Sequence, residues 1–133
     1  MTTTTMLQAK SLVPTMTVND LNASLRFYRD GLGFAVKEEM NEEGKVLGVM
    51  LEAGKAVLGL SQDDFSKGRD RKKGIGMRVY MSTTQNVDEI AMRARGAGIR
   101  LNSEPYDTEW KSRAFEVTDP SGFLLTISSE IPA

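Results

Sequence analysis

An internal repeat constrains this chain more than any other feature of its sequence. Residues 31–34 (GLGF) close one amphipathic helical pattern, and residues 96–99 (GAGI) close a second one 65 residues further along. A run of alternating apolar residues precedes each helical pattern, and three such runs follow it. Repetition on this scale predicts two copies of one supersecondary unit, here a βαβββ module. We expect one domain over residues 11–133, with module one at 11–62, a linker loop at 63–74 and module two at 75–131.

Both predicted helices carry signals at their N-termini and along one face. Asn19 and Asp20 are candidate N-caps of the first helix, and Asn86 caps the second helix with Glu89 at its third position. Apolar residues of the first helix recur at i, i+4, i+7 and i+11, which places them on one face. These residues are Leu21, Leu25, Tyr28 and Leu32. Glycine is common at helix C-termini, so we expect this helix to end at Gly31 or Gly33.

The final hairpin is predicted from residues 113–128, where two alternating runs flank the turn sequence 119–122 (DPSG). Proline presets φ and glycine tolerates positive φ, so these four residues form a tight turn. A period of two places Phe115 and Leu125 on a core face and leaves the opposite face mixed and partly polar. That second face is where we expect a ligand.

Composition excludes several classes of site. The 133 residues include no cysteine and no histidine, which removes thiolate chemistry, the commonest general base and the commonest metal ligand. The net charge of −1 favours neither nucleic acid nor an anionic membrane as a partner. We find no signal peptide and no run long enough to span a membrane, and we expect a cytoplasmic protein. Residues 1–10, with their threonine run, are expected to form a flexible tail.

Two segments resemble the vicinal oxygen chelate superfamily: residues 19–34 (NDLNASLRFYRDGLGF) and 115–122 (FEVTDPSG). That superfamily includes glyoxalase I, extradiol dioxygenases, fosfomycin-resistance enzymes, methylmalonyl-CoA epimerase and the bleomycin-resistance binding proteins. The resemblance implies an α/β (α+β) fold in which two βαβββ modules form a cupped, mixed eight-stranded sheet around a cleft. It also implies a homodimer, either side by side or with exchanged modules.

The same resemblance implies four histidine or glutamate ligands in the metal-dependent members, on the first, fourth, fifth and last strands. Alternation places Val13, Gly59, Arg78 and Thr126 at those positions, and none of them is a good transition-metal ligand. We therefore expect no metal and no other cofactor. Two carboxylates on the cleft side, Glu52 and Glu116, leave open a loosely held Mg²⁺; the alternative is that Glu116 pairs with Arg78 and Glu52 meets solvent.

The predicted cleft combines apolar and hydroxyl side chains with few charges, which suits capture of an organic molecule by shape. Its candidate ligand-binding residues are Thr15, Thr17, Met50, Glu52, Ser61, Phe65, Arg78, Tyr80, Trp110, Glu116, Thr126 and Ser128. Arg78 either binds an anionic group or closes an internal ion pair. Tyr80 and Trp110 either stack on a planar ligand or serve packing and dimer contacts.

These residues support three functional hypotheses. The first is a metal-free protein that binds a small organic ligand, neutral or anionic, and the resemblance suggests antibiotic or toxin resistance as its role. The second is a lyase or isomerase with Glu116, the best catalytic candidate, as base and Arg78 as oxyanion partner. The third is an interaction subunit whose cleft is filled by its own bulky side chains.

Overall fold

The computed structural model describes residues 6–130, in which eight strands and two helical segments follow the predicted order. The first module contains β1 (Thr15–Val18), α1 (Leu21–Leu25) continuing into a π-helical segment (Arg26–Gly31), β2 (Ala35–Glu42), β3 (Lys45–Ala53) and β4 (Ala56–Gln62). The second contains β5 (Arg78–Thr83), α2 (Val87–Gly96), β6 (Leu101–Asp107), β7 (Ser112–Thr118) and β8 (Leu124–Glu130).

The strands form two four-stranded sheets with the same topology, which confirms the repeat. The first sheet has the order β1-β4-β3-β2 and the second has the order β5-β8-β7-β6. In each, the first and last strands of the module pair in parallel and the other neighbours are antiparallel. Each module thus supplies one complete mixed sheet, with the predicted strands as its members.

The first strand is shorter than predicted. Alternation placed Val13 on the first strand, but pairing with β4 begins at Thr15, opposite Gly59. Pro14 accepts one hydrogen bond through its carbonyl oxygen, from Gly59 N at 2.8 Å. It has no N–H to donate, so the ladder ends there.

The two helical segments have similar N-caps, and each is followed by a glycine in the same conformation. Asp20 caps α1 through a 3.2 Å bond from Ala23 N, and Asn86 caps α2 by accepting from the N–H groups of residues 88 and 89. Beyond the helices, Gly33 and Gly98 both adopt φ of +89°, a conformation that side chains disfavour. The glycine repeat seen in the sequence therefore has a conformational cause.

Widening of the first helix into π geometry buries two consecutive aromatic residues. Phe27 and Tyr28 are both in the core, and Tyr28 packs edge-on against Phe27 and Phe34 with ring centroids 4.9 and 5.6 Å away. The ring of Tyr28 lies inside the core and its hydroxyl reaches the other module.

The DPSG turn forms a clasp between the modules. Tyr28 Oη donates to Asp119 Oδ2 at 2.8 Å, and both residues are buried. Asp119 Oδ1 accepts from the N–H groups of residues 121, 122 and 123, all at 2.9 Å. Ser121 Oγ accepts from Asn19 N at 2.9 Å. The burial and the neighbouring carboxylate raise the pKa of Tyr28 well above its ordinary value.

Apolar residues of both modules form one core. Gly31 lies so close to Ile99 that a side chain at Gly31 would overlap the Ile99 Cδ1 atom.

In the loop between the modules, Lys73 Nζ lies 2.8 Å from Asp63 Oδ2, and both side chains are almost fully buried. The hydrogen bond from Lys73 holds the pKa of Asp63 below its usual range, assisted by a second bond from Phe65 N.

The ends of the predicted domain are only partly described. Residues 6–10 of the expected tail have no helix or strand and are exposed, whereas residues 1–5 and 131–133 lie outside the described residues. Among the helices of residues 6–130, none has the length and apolar character needed to cross a membrane.

Candidate functional site

Each sheet has one face that packs on the core and one that does not; we call the second the cleft face. Side chains of directly paired residues project to the same side of a sheet. Register therefore assigns each predicted site residue on a strand to one of the two faces.

In the first sheet the predicted strand residues share the cleft face. Thr15 pairs with Gly59, which pairs with Met50, and Thr17 pairs with Ser61. A Cβ atom at Gly59 would lie 3.0 Å from Thr15 Oγ1 and 3.2 Å from Met50 Sδ. Those two side chains therefore cover Gly59 from both sides. Glu52, opposite Val57, is on the same face at the other end of the sheet.

In the second sheet the predicted residues Arg78, Tyr80, Glu116, Thr126 and Ser128 also share the cleft face. One row across the strands contains Tyr80, Thr126 and Glu116, and Arg78 pairs with Leu124 in the preceding row. Thr126 and Ser128 are buried, whereas Tyr80 is 52% exposed. Alternation read from the sequence therefore predicted this face correctly.

Two further residues of this face, Ser103 and Tyr106, were not predicted. Ser103 pairs with Glu116 and Tyr106 pairs with Ala114, but irregularities in β6 interrupt the pairing between residues 101 and 106. A bulge changes which side of the sheet the following residues face, so strict alternation fails here. Pro105 within the strand was the available signal, because proline cannot donate to the ladder.

The cleft face of the second sheet has small residues at its centre and aromatic residues on its outer strands. Ala114, Thr126 and Ser128 are at most 5% exposed and form the floor. Tyr80 on β5 and Tyr106 on β6 flank this floor, and each ring is about half exposed. This shape suits a flat molecule between two rings.

Arg78 and Glu116 form a loose ion pair across the floor. Arg78 Nη1 lies 4.0 Å from Glu116 Oε1, and the pair spans β8, the strand that carries Thr126. This distance exceeds hydrogen-bonding range, so each group retains unused donors or acceptors. Glu116 therefore pairs with Arg78, which is one of the two alternatives considered from the sequence.

Two hydroxyl groups beside this pair have no hydrogen-bond partner among residues 6–130. They are Thr126 Oγ1 and Ser103 Oγ, and both atoms are buried. Each belongs to a residue paired with Glu116, one on either side of it. Buried hydroxyl groups are ordinarily hydrogen-bonded, and these two atoms lack such a partner within the described part of the chain.

A depression of about 240 Å³ lies at the end of the first sheet, under the loop between the modules. Thr17 and Ser61 of the predicted site line it, together with Asp63, Asp64 and Arg71. The pKa of Asp64 is lowered mainly by a hydrogen bond from Ser66 N. Carboxylates, cations and hydroxyls alternate around this depression, so it has no strong preference for one sign of charge.

Phe65 and Trp110, the predicted aromatic residues outside the strands, occupy different environments. Phe65 has a positive φ of 62°, and the guanidinium of Arg69 lies 4.5 Å from its ring centre. Phe65 is thus held within its own loop. Trp110 lies in the turn between β6 and β7, as expected, and is 70% exposed.

A second depression, of about 170 Å³, surrounds a closed ion-pair network on the helix side. Arg113 donates to Asp88 Oδ2 at 2.8 Å and to Asp107 Oδ1 at 2.9 Å. Arg113 lowers the pKa of Asp88, mainly through these bonds. The guanidinium is already engaged by two carboxylates and leaves little capacity for a ligand.

The residues at the family's ligand positions do not fit a transition metal. Val13, Gly59, Arg78 and Thr126 offer no imidazole and no carboxylate. Within residues 6–130, no three side chains of the histidine, cysteine, aspartate or glutamate types cluster as a metal site would require. Glu52 and Glu116 lie on different sheets.

Comparison with known families decides where this chain belongs. A family model described as the glyoxalase/bleomycin resistance protein/dioxygenase superfamily matches residues 10–127. The chain belongs to that superfamily. The match confirms the resemblance carried by residues 19–34 and 115–122. A sequence comparison with curated proteins gives no significant match.

Solved structures share the fold of this glyoxalase-superfamily protein. TioX from Micromonospora sp. ML1 has a TM-score of 0.74 and 18% identity, over 92% of this chain and 100% of its own. TnmS3, an antibiotic-binding protein from Streptomyces sp. CB03234, has a TM-score of 0.71 and 19% identity, over 95% and 99%. A glyoxalase/bleomycin resistance protein/dioxygenase from Nocardioides has 0.68 and 20%, over 97% and 88%. These likenesses confirm the α+β fold class.

Proposed function

We propose that this protein binds a small, flat organic molecule on the cleft face of its second sheet, without a metal at the family's ligand positions. The observation that carries the proposal is the floor of small buried residues between Tyr80 and Tyr106. A pocket with apolar and aromatic walls and a few polar anchors is typical of small-molecule sites. The superfamily includes binding proteins as well as enzymes, and one structural neighbour is described as antibiotic-binding.

The binding unit is a homodimer in which a second copy covers the β5 edge. β5 is the last strand in its sheet, so its outer edge has no partner strand within residues 6–130. Exposed apolar side chains lie directly before this strand: Ile75 is 76% exposed and Met77 is 42% exposed. An unpaired edge beside apolar side chains is a typical place for association. Ultracentrifugation of Ile75→Asp against the parent protein tests this; a parent protein that sediments as a monomer at micromolar concentration would contradict the dimer.

Ligand binding is tested by a thermal-shift screen of purified protein against divalent metals and a panel of flat organic molecules. A ligand at about a hundred times its Kd stabilises the folded state by roughly 2.7 kcal/mol, which is easily detected. For each positive molecule, Tyr80→Ala should weaken binding by about tenfold, since the ring loses its stacking contact. The control is Met92→Ala, which truncates an apolar side chain on α2 that is 68% exposed, against 52% for Tyr80.

The outcomes separate the hypotheses. Binding that depends on Tyr80 supports the proposal. Stabilisation by a divalent metal and its reversal by a chelator would contradict the metal-free site. A panel without any stabilising molecule would contradict the binding function.

A lyase or isomerase reaction remains the second candidate, because a carboxylate and a guanidinium face the same floor 4.0 Å apart. In that reaction Glu116 would remove a proton and Arg78 would stabilise the resulting oxyanion. Glu116→Gln should then abolish turnover of a bound ligand with little change in its affinity. Parallel loss of turnover and affinity would contradict the catalytic role.

A further inference from the structure

We infer that the ligand of the second sheet is a neutral aromatic compound carrying hydroxyl groups; this inference rests on the proposed binding function. It starts from Arg78 and Glu116, which present a cation and an anion side by side on one surface. A ligand carboxylate would be attracted by Arg78 but repelled by Glu116 at almost the same distance. A ligand cation would be attracted by Glu116 but repelled by Arg78. The pair therefore disfavours ligands of either charge.

The separation of the pair fits one hydroxyl group. Arg78 can only donate hydrogen bonds and an ionised Glu116 can only accept them. An oxygen about 2.8 Å from both Arg78 Nη1 and Glu116 Oε1 would join them at an angle of about 90°, given their 4.0 Å separation. A hydroxyl both accepts and donates, so it satisfies both groups. A methyl ether could only accept and would leave the carboxylate without its bond.

The unused hydroxyls extend this pattern along the same row. Thr126 and Ser103 flank Glu116 on the adjacent strands β8 and β6, and neither Oγ atom has a partner within residues 6–130. Adjacent strands are about 4.8 Å apart, which matches the spacing of oxygens in a 1,3-dihydroxybenzene. A second ligand hydroxyl in the meta position would therefore lie over one of these side chains, whose buried oxygen would have to rotate towards it, while the ring lies beside Tyr80.

The test compares four singly substituted probes on one aromatic ring system, measured by isothermal titration calorimetry at pH 7. They are 2-naphthol, 2-methoxynaphthalene, 2-naphthoate and 2-naphthyltrimethylammonium. The parent protein should bind 2-naphthol at least tenfold more tightly than the other three. A fifth probe, 1,3-dihydroxynaphthalene, should bind more tightly than 2-naphthol by a further several-fold.

Two variants distinguish a change in ligand preference from a general loss of stability, because each should change which probe binds most tightly. Glu116→Gln leaves Arg78 uncompensated and should make 2-naphthoate the preferred probe. Arg78→Gln leaves Glu116 uncompensated and should make the trimethylammonium probe the preferred one. Arg29→Gln is the matched control, since within residues 6–130 the Arg29 side chain is paired only with the adjacent Asp30, away from the cleft face, and it should change no preference.

Failure of this inference is distinct from failure of the proposed function. Preference for a charged probe or for the ether, with binding still weakened by Tyr80→Ala, would overturn the hydroxyl inference and leave the binding site in place. Absence of binding by all probes would also overturn it, and the thermal-shift panel then decides whether the binding function falls as well.

Discussion

Replacing Tyr28 with phenylalanine tests the clasp between the modules. The change removes one hydroxyl and leaves the aromatic ring in the core, so the loss is confined to the 2.8 Å bond to Asp119. A hydrogen bond to a charged group contributes about 1.5–3 kcal/mol. Both partners are buried, so water cannot replace the missing donor. We expect Tyr28→Phe to lower the free energy of unfolding by about 2 kcal/mol at pH 7.

The same bond predicts a specific pH dependence. Burial and Asp119 raise the pKa of Tyr28 in the folded protein, so its neutral form is favoured there. The contribution of Tyr28 is complete below the unfolded pKa of about 10 and is lost as the pH rises above it. Above pH 10 the unfolded phenol ionises and the folded one does not, which lowers stability by about 1.4 kcal/mol per pH unit. The difference between the parent protein and Tyr28→Phe should therefore shrink to about 0.6 kcal/mol at pH 11.

Urea denaturation at several pH values between 7 and 11 measures this difference directly. Tyr106→Phe is the control, since Tyr106 is about half exposed and its replacement should alter stability by less than about 0.5 kcal/mol at pH 7. A Tyr28→Phe effect as small as that of the control would refute the clasp. A difference that stays constant between pH 8 and pH 11 would refute the ionisation argument.

Three further predictions concern single sites. Gly74→Ala should lower the free energy of unfolding, measured by urea denaturation, by about 3 kcal/mol or more, because φ is +80° and the new methyl overlaps a backbone carbonyl of the β7–β8 turn. Gly44→Ala is the control: φ is +77° but the surrounding space is open, so the free energy of unfolding should fall by only about 1 kcal/mol. Because Lys73 lowers the pKa of Asp63, the melting-temperature advantage of the parent over Asp63→Asn should be complete above pH 4 and disappear as the pH falls towards 2. Thr126→Val should raise the melting temperature of the unliganded protein by about 3 °C, because a buried unpaired hydroxyl is removed, and should reduce the preference for 1,3-dihydroxynaphthalene over 2-naphthol; a lower melting temperature would contradict this.

Much of the fold could be predicted because its signals are local. The order of helices and strands followed from periodicity, and Asp20 and Asn86 were recognised as caps from their place before each helix. The glycines at 33 and 98 were informative because their positive φ excludes most other residues. Strand boundaries were less accurate, as at β1, because they depend on where a partner strand begins.

The candidate site was predictable only where the strands are regular. Thr126 and Glu116 were assigned to the cleft face because β7 and β8 alternate without interruption. Ser103 and Tyr106 were missed because the irregularities of β6 move them to that face. The environment of Lys73 in the linker loop had no local signal, since its burial against Asp63 depends on how the loop folds back.

The sequence by itself determined the two-module architecture, the faces of the regular strands and the lack of imidazole and thiolate ligands, because each depends on residue type and local periodicity. Only the tertiary structure decided the bond between Tyr28 and Asp119, which are 91 residues apart, and the 4.0 Å separation of Arg78 and Glu116. Those distances result from how the π-helical segment, the DPSG turn and neighbouring strands pack, and no local pattern encodes them. Sequence periodicity thus determines the architecture, whereas the arrangement of side chains that a ligand would contact depends on tertiary packing.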